Sequence, residues 1–310
     1  MTISVIIPVY NAEEYLRKAV ESANQFPEVV EIILCEDQST DQSLALCESL
    51  EKEFSKVKLY QHPDKGNHGA AASRNLGLDK ATQDFVAFLD ADDYYLPNRF
   101  DEEKRIFVDE KIEGVFGAIG VEFLSEEGKK EFQEKFKIGN LTTVKHAAEG
   151  KDVFYGLLGL DASFGTFFHL NSLTIKTESL RKNNIRFNEK LRVHQDSDFI
   201  IKLAYHCYLK SGNITSPIAM RGVHDDNRIT KIKMYSSAYN QRQALLWNSL
   251  YLWSTDKDIK QQYKKHIFLK KKSFDLALEN GMRKYALLLT TALQNHNILK
   301  TRYRFTYLKK

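Results

Sequence analysis

Residues 3–9, Ile3-Ser-Val-Ile-Ile-Pro-Val9, form a short apolar run that ends at the polar pair Tyr10-Asn11. The run is too short for a typical helix, and its β-branched side chains favour a buried strand. It lacks the preceding basic region and the following small-residue cleavage site of a signal peptide. We therefore interpret residues 3–9 as the first strand of a sheet.

Further apolar runs follow this strand and alternate with segments of helical periodicity. The runs that predict strands are residues 30–35, 57–61, 85–89, 115–121, 172–176 and 217–223. The first helix is expected to begin at Asn11, with Glu14 completing a capping box. Alternating strands and helices are typical of a mostly parallel sheet flanked by helices, so the predicted fold class is α/β.

The chain divides by charge into an acidic front and a basic tail. Residues 1–230 carry 28 basic and 37 acidic residues, whereas residues 231–310 carry 17 basic and 4 acidic ones. Residues 122–165 have no clear periodicity, and from residue 235 onward the pattern predicts three or four helices. We therefore predict a domain over residues 1–230 and a basic helical extension over residues 231–310.

Composition excludes several classes of protein. The net charge is only +4, which is too small to indicate nucleic-acid binding. Three cysteines without CxxC spacing indicate neither a disulfide framework nor a zinc site, and they fit a reducing cytoplasm. The chain contains no apolar run of about 18 residues that could span a membrane. We expect a cytoplasmic protein that binds no nucleic acid.

Acidic residues collect directly after two predicted strands. Glu36 and Asp37 follow the second strand, and Asp90-Ala-Asp-Asp93 follows the fourth. Ligands of open parallel sheets bind beyond the carboxyl ends of the strands. Carboxylates crowded at that edge need a compensating cation or hydrogen-bond donors, and a divalent metal that carries a phosphate is the simplest compensator.

Six motifs occur in the order and spacing of one enzyme family. They are Ser4-Val-Ile-Ile-Pro-Val-Tyr-Asn11, Cys35-Glu-Asp-Gln-Ser-Thr-Asp41, Gly69-Ala-Ala-Ala-Ser-Arg-Asn75, Phe88-Leu-Asp-Ala-Asp-Asp93, Gln195-Asp-Ser-Asp-Phe199 and Arg221-Gly-Val-His224. With them, residues 1 to about 230 resemble the inverting nucleotide-sugar glycosyltransferases of GT-A family 2, of the bacterial polysaccharide type. The resemblance implies a GT-A, Rossmann-like fold.

The resemblance also implies a nucleotide site. Asp37 corresponds to the acid that accepts a hydrogen bond from the base, which favours uracil or thymine because both carry a proton on N3. Tyr10 would stack on the base, and Arg74 would contact base or phosphate. Further expected nucleotide contacts are Pro8, Gly69, Asp90 and Ala91. A plainer interpretation of Asp37 is that it caps the next helix.

Metal binding and catalysis are implied for three more residues. Asp92 is the second acid of an element that resembles the family's DxD motif, and His224 resembles its late metal ligand, so we expect Mn²⁺ or Mg²⁺. Asp196 corresponds to the base that deprotonates the acceptor hydroxyl, although Gln195 stands where a glutamate is usual. Asp198 is a rival for the role of base.

The expected partners are a UDP-sugar and a glycan or lipid-linked glycan acceptor. In the tail, basic pairs and triplets lie among aromatic residues such as Trp247 and Tyr263. This pattern fits contact with the inner face of the cell membrane, binding of an acidic glycan acceptor, or a helical cap that packs its apolar side on the catalytic domain.

Two other functions stay open. A sugar-phosphate nucleotidyltransferase would carry a Gly-rich loop with an arginine after the first strand, where this chain has Tyr10-Asn-Ala-Glu13. A non-catalytic glycan- or membrane-binding relative of the same fold would lack Asp92 or Asp196, and both acids are present.

Overall fold

The computed structural model describes residues 1–135, 141–165, 167–224 and 235–301. The chain separates into two compact units, Met1–Thr230 and Lys231–Lys310. The domain boundary expected between residues 230 and 231 lies outside the described residues.

The strands are β1 (Ile3–Val9), β2 (Val29–Glu36), β3 (Val57–Gln61), β4 (Phe85–Phe88), β5 (Asp93–Tyr95), β6 (Gly114–Phe116), β7 (Ala118–Phe123), β8 (Thr174–Lys176), β9 (Leu209–Ser211) and β10 (Pro217–Val223). The helices of the first unit are α1 (Leu16–Asn24), α2 (Ser43–Glu53), α3 (Ala70–Lys80), α4 (Asp101–Ile106), α5 (Glu126–Lys135), α6 (Lys151–Leu157), α7 (Thr177–Lys182) and α8 (Gln195–His206).

A seven-stranded sheet in the order β3-β2-β1-β4-β8-β6-β9 forms the centre of the first unit. Strands β1 to β4 pair in parallel, and β8 runs antiparallel to both β4 and β6. A smaller sheet has the order β5-β10-β7. The α/β prediction and its mostly parallel sheet are confirmed.

Strand β1 lies in the middle of the buried core because both of its faces are covered. Its five Ile and Val side chains are fully buried. On α1, the residues at helical spacing that face the core are Leu16, Ala19, Val20 and Ala23. The central position of β1 places the residues that follow it at the middle of the carboxyl edge of the sheet.

The predicted start of the first helix is wrong. Helix α1 begins at Leu16, and Asn11 has a φ of 49° instead of capping it. The Asn11 carboxamide oxygen accepts a hydrogen bond from the backbone N–H of Thr40 at 2.8 Å. The side chain is therefore engaged in joining the loop after β1 to the loop after β2, and it does not cap α1.

Two other segments differ from the predicted pattern. The strand expected over residues 115–121 is divided into β6 and β7, which belong to different sheets. Residues 122–165, which lack clear periodicity, contain α5 and α6. A single apolar run thus supplies both sheets, because the chain passes from one to the other at Gly117.

The described part of the second unit is helical, as predicted. It contains α9 (Ser237–Asp256), α10 (Gln261–Leu278), α11 (Gly281–Gln294) and a 3-10 helix at His296–Lys300. Among all the helices described, none combines the length and the apolar character needed to cross a membrane.

Candidate active site

The carboxyl ends of β1, β2 and β4 bring the predicted nucleotide residues to one edge of the sheet. Pro8 pairs with Cys35 between β1 and β2, and Tyr10, just beyond β1, is exposed. The loop after β4 carries Asp90 and Ala91, of which Ala91 is buried.

Asp37 is buried and organises the loop that precedes α3. Its two carboxylate oxygens accept hydrogen bonds from the backbone N–H groups of His68 and Gly69, both at 2.7 Å. The alternative that Asp37 caps the next helix is wrong, because the residue before α2 is Gln42. Each carboxylate oxygen has a second lone pair, so Asp37 keeps acceptor capacity for a ligand.

Gly69 lies where the loop turns into α3. Its φ of 86° is a conformation that favours glycine. A Cβ atom at this position would lie 2.2 Å from Nη1 of Arg192, so a guanidinium group occupies the space that a larger residue would fill. The absence of a side chain at position 69 thus lets a cation approach the N-terminus of α3.

Arg74, on α3, joins two carboxylates that are far apart in the sequence. Its buried guanidinium donates to Asp90 at 2.5 Å and to Asp196 at 3.1 Å. Burial opposes its charge, but the two carboxylates raise the pKa of Arg74 above its ordinary value. The same guanidinium holds the pKa of Asp90 below its ordinary value despite the burial of that carboxyl.

Asp90, Asp92 and Asp93 form an acidic cluster, in which Asp93 contacts Asn171. Asp93 is buried and accepts hydrogen bonds from the Gly222 N–H at 3.0 Å and from the Asn171 amide. Burial and the charges of Asp92 and Asp90 raise the pKa of Asp93 well above its ordinary value.

His169 and Arg221 were not predicted as site residues from the sequence. Nε2 of His169 lies 2.5 Å from Nη2 of Arg221. Burial and then the charge of Arg221 lower the pKa of His169 to about 3, so the imidazole is neutral and accepts this hydrogen bond. A signal for Arg221 was present, because Arg221 is the first residue of the motif that ends at His224, whereas His169 belongs to none of the six motifs.

One atom each of Asp90, Asp93 and His169 lies within 4.8 Å of the others, as in a metal site. All three side chains, however, already have protein partners: Arg74, Gly222 with Asn171, and Arg221. Two guanidinium groups thus supply part of the positive charge that the crowded acids require.

Asp92 and His224 form a second pair of candidate metal ligands. Oδ2 of Asp92 lies 3.3 Å from Nε2 of His224, which follows β10. Two adjacent ligands of an octahedral Mg²⁺ at 2.0–2.1 Å lie about 3.0 Å apart, so this spacing fits a shared divalent ion. Tyr15 stacks on the His224 ring with a centroid distance of 5.1 Å, which orients the imidazole.

Helix α8 presents Asp196 and Asp198 to different surroundings. The Asp196 side chain is 36% exposed and contacts Arg74, whereas Asp198 is fully buried and pairs with Lys202 at 2.6 Å. Burial and the nearby Asp90 raise the pKa of Asp196, and Arg74 opposes the rise. Of the two acids, Asp196 is the one that a substrate at this edge of the sheet can reach.

The sequence profile described as Glycosyl transferase family 2 matches residues 4–169 of this chain. The chain belongs to that family. The matched segment contains β1 to β7 and their connecting helices, together with the acidic loop after β4 and His169.

Proteins similar to this chain include a teichoic acid biosynthesis protein and a glucosyltransferase. The minor teichoic acid biosynthesis protein GgaA of Bacillus subtilis is 30% identical over 208 residues, which cover 64% of this chain and 42% of GgaA. This chain therefore spans less than half the length of GgaA. The GalNAc(5)-diNAcBac-PP-undecaprenol beta-1,3-glucosyltransferase of Campylobacter jejuni is 27% identical over 223 residues, covering 67% of this chain and 71% of that enzyme.

Solved structures support the fold. The crystal structure of S. aureus TarS 1-349 in complex with UDP-GlcNAc superposes with a TM-score of 0.59 at 19% sequence identity. The similarity covers 94% of this chain and 79% of that chain. The predicted GT-A fold is thereby confirmed.

Proposed function

We propose that this chain is a metal-dependent inverting glycosyltransferase that transfers a sugar from a UDP-sugar to a hydroxyl group of a glycan or lipid-linked glycan. The observation that carries the proposal is the bridge of Arg74 between Asp90 and Asp196. It links the acidic loop after β4, where a donor diphosphate would lie, to a partly exposed carboxylate suited to an acceptor hydroxyl.

The nucleotide half of the site is assigned to Pro8, Tyr10, Asp37, Gly69, Arg74, Asp90 and Ala91. Asp37 would accept the N3–H of uracil through its remaining lone pairs, which cytosine, lacking that proton, does not match. The UDP-GlcNAc bound by TarS and the position of Asp37 at the end of β2 support a UDP-sugar.

Asp92 and His224 are assigned to Mn²⁺ or Mg²⁺. The 3.3 Å spacing of their donor atoms and the partial exposure of both side chains fit an ion that also contacts a diphosphate. Such an ion would offset the negative charge of the departing UDP.

Asp196 is assigned as the general base. In an inverting transfer the acceptor oxygen attacks the anomeric carbon from the face opposite the nucleotide, and a carboxylate takes the hydroxyl proton as the new bond forms. Its raised pKa makes Asp196 a better proton acceptor than an ordinary aspartate. Because Asp92 and Asp196 are both present in the site, an active enzyme is favoured over a non-catalytic relative of the same fold.

The three cysteines are free and buried, which supports a reducing, cytoplasmic location for the proposed reaction. The lipid-linked acceptor named for the Campylobacter relative supports an acceptor of the same kind.

A donor screen tests the proposal. Release of nucleoside diphosphate is measured with UDP-, GDP-, CDP- and dTDP-sugars in Mn²⁺, Mg²⁺ or EDTA. We expect release from a UDP-sugar that requires the metal and is lost in Asp92→Asn. Asp101→Asn, which changes an exposed carboxylate of α4, should leave release unchanged. Equal release in EDTA would exclude the metal assignment, and preference for another nucleotide would exclude the UDP-sugar.

A further inference from the structure

Helix α11 has the polarity of its two faces reversed relative to a typical surface helix. Met282, Leu289 and Leu293 are 83%, 66% and 89% exposed, whereas Lys284 and Thr291 are buried. A helix of a soluble unit normally turns its apolar stripe inward and its polar residues to water. Among the residues that the structure describes, none covers this outward apolar stripe.

The exposed apolar residues form one continuous stripe. At 100° per residue, positions 282, 286, 289 and 293 fall within about 60° of one another, with Tyr285 at the margin. Lys284, Leu288 and Thr291 lie on the opposite side, which faces the rest of the unit. The exposed stripe is therefore a defined surface along the whole helix.

The charged residues of α11 and of the sequence that follows it have a single sign. Residues 280–310 contain seven Lys and Arg and no Asp or Glu. Arg283 and Lys300, close to the ends of the helical segment, are exposed. Exposed apolar residues accompanied by exposed basic ones match the surface of an anionic lipid bilayer, where side chains enter the acyl boundary and cations meet phosphates.

We propose that the outer face of α11, formed by Met282, Tyr285, Leu289 and Leu293, docks on an anionic lipid membrane. A second copy of the chain is a poorer occupant. Pairing two α11 stripes across a two-fold axis would bring the basic flank of one copy against that of the other, and this segment holds no acid to compensate.

The surface differs from the aromatic and basic cluster that the sequence suggested. Trp247 and Tyr263 are buried within the second unit, and Lys270 lies 5.6 Å from the centre of the Trp247 ring. Those aromatic residues stabilise the packing of α9 and α10. The membrane surface is consequently assigned to α11.

Sedimentation of the full chain with vesicles tests the proposal. We expect binding to vesicles of equal parts phosphatidylcholine and phosphatidylglycerol, little binding to phosphatidylcholine alone, and partial loss in high salt. Replacing Leu289 and Leu293 with Gln should weaken binding about tenfold or more, because two Leu side chains no longer leave water. Both are exposed, so the unfolding temperature should not fall.

Leu245→Gln with Leu252→Gln is the matched control, since these α9 residues are 56% and 55% exposed. The control should bind vesicles as the unchanged chain does. Failure of the unchanged chain to bind, or equal loss in both double variants, would overturn the proposal. So would a dimer in light scattering that the Leu289 and Leu293 changes dissociate while vesicle binding persists. The test uses no sugar donor and is independent of the proposed transferase activity.

Discussion

Asp196 and Asp198 lie two positions apart on α8, and their side chains diverge by about 200° around the helix axis. Asp196 meets Arg74 at the edge of the sheet, and Asp198 meets Lys202 in the interior. A single helix thus separates an acid that a ligand can reach from one that stabilises the fold.

Asp196→Asn should reduce transfer by about 10²-fold or more, the usual scale for loss of a general base. UDP affinity and metal dependence should stay nearly unchanged, because in the proposed mechanism this carboxylate contacts the acceptor. Steady-state rates and calorimetry measure the two effects. In Asp198→Asn we expect a lower unfolding temperature with much smaller loss of turnover, because the change leaves Lys202 with a neutral partner. The opposite pattern would exchange the two roles.

The raised pKa of Asp196 predicts the pH dependence of transfer. The base works when ionised, so the rate should fall as pH decreases through a pKa above the ordinary aspartate value of 3.8. Arg74→Gln removes the cation that opposes the rise in the pKa of Asp196. The acidic limb of the pH–rate profile should therefore move to higher pH in Arg74→Gln, and it should move less in Arg74→Lys. Arg186→Gln, which breaks an ion pair with Asp79, is the control. An unmoved limb in Arg74→Gln would contradict the assignment.

Asp37→Asn tests the base contact. The amide keeps one acceptor oxygen but loses the charge-assisted bond, so UDP should bind several-fold more weakly, corresponding to roughly 1 to 2 kcal/mol. Because Asp37 also holds the loop before α3, the unfolding temperature is measured in parallel. Tighter binding of CDP than of UDP by the unchanged chain would remove Asp37 from the base site.

Among the elements, the chain segment from Asn171 to Thr174 depends on one buried arginine. Arg99, fully buried before α4, donates to the Asn171 carbonyl at 3.2 Å and the Leu173 carbonyl at 3.1 Å and pairs with Glu103. This segment contributes Asn171 to the acidic cluster and continues into β8. The position of Asn171 therefore depends on a buried ion pair, Arg99 with Glu103, that does not itself contact Asp93.

Arg99→Met should destabilise the fold by about 3 to 5 kcal/mol, because it leaves Glu103 and two carbonyl groups buried without their donor. Adding Glu103→Met should recover part of that loss, since no unpaired charge then remains. Urea unfolding of both variants gives the comparison. A single variant within about 1 kcal/mol of the unchanged chain would contradict this role for Arg99.

At the scale of the whole molecule, the chain comprises an acidic unit and a basic unit. Every residue assigned to the nucleotide and the metal lies between Pro8 and His224, in the first unit. The helices of the second unit carry the proposed lipid surface. The two proposed tasks are therefore assigned to different units.

A chain that ends at residue 230 should bind UDP in Mn²⁺ with an affinity within about twofold of the full chain, and Asp92→Asn should weaken both equally. Calorimetry on folded samples, checked by circular dichroism, measures this. Loss of UDP binding by a folded truncated chain would show that residues 231–310 complete the nucleotide site.

Local sequence was sufficient for the strands and for the order of the motifs. Strands β1, β3 and β10 have the predicted bounds, because short runs that contain several apolar residues and are bounded by turn residues favour strands. The acids after β2 and β4 could be placed at one edge because parallel strands align their carboxyl ends. Family membership and the helical character of the tail also followed from local patterns.

Only the tertiary structure decided which of these residues meet. Arg74 joins acids 16 and 122 positions away, and His169 contacts Arg221 across 52 positions. Hydrophobic periodicity reports only on residues that are close in the sequence, so it cannot predict contacts between residues that are far apart in the sequence. The sequence pattern likewise predicts that α11 is a helix but does not predict which of its faces is buried. In the folded unit the buried face is the one that carries Lys284 and Thr291.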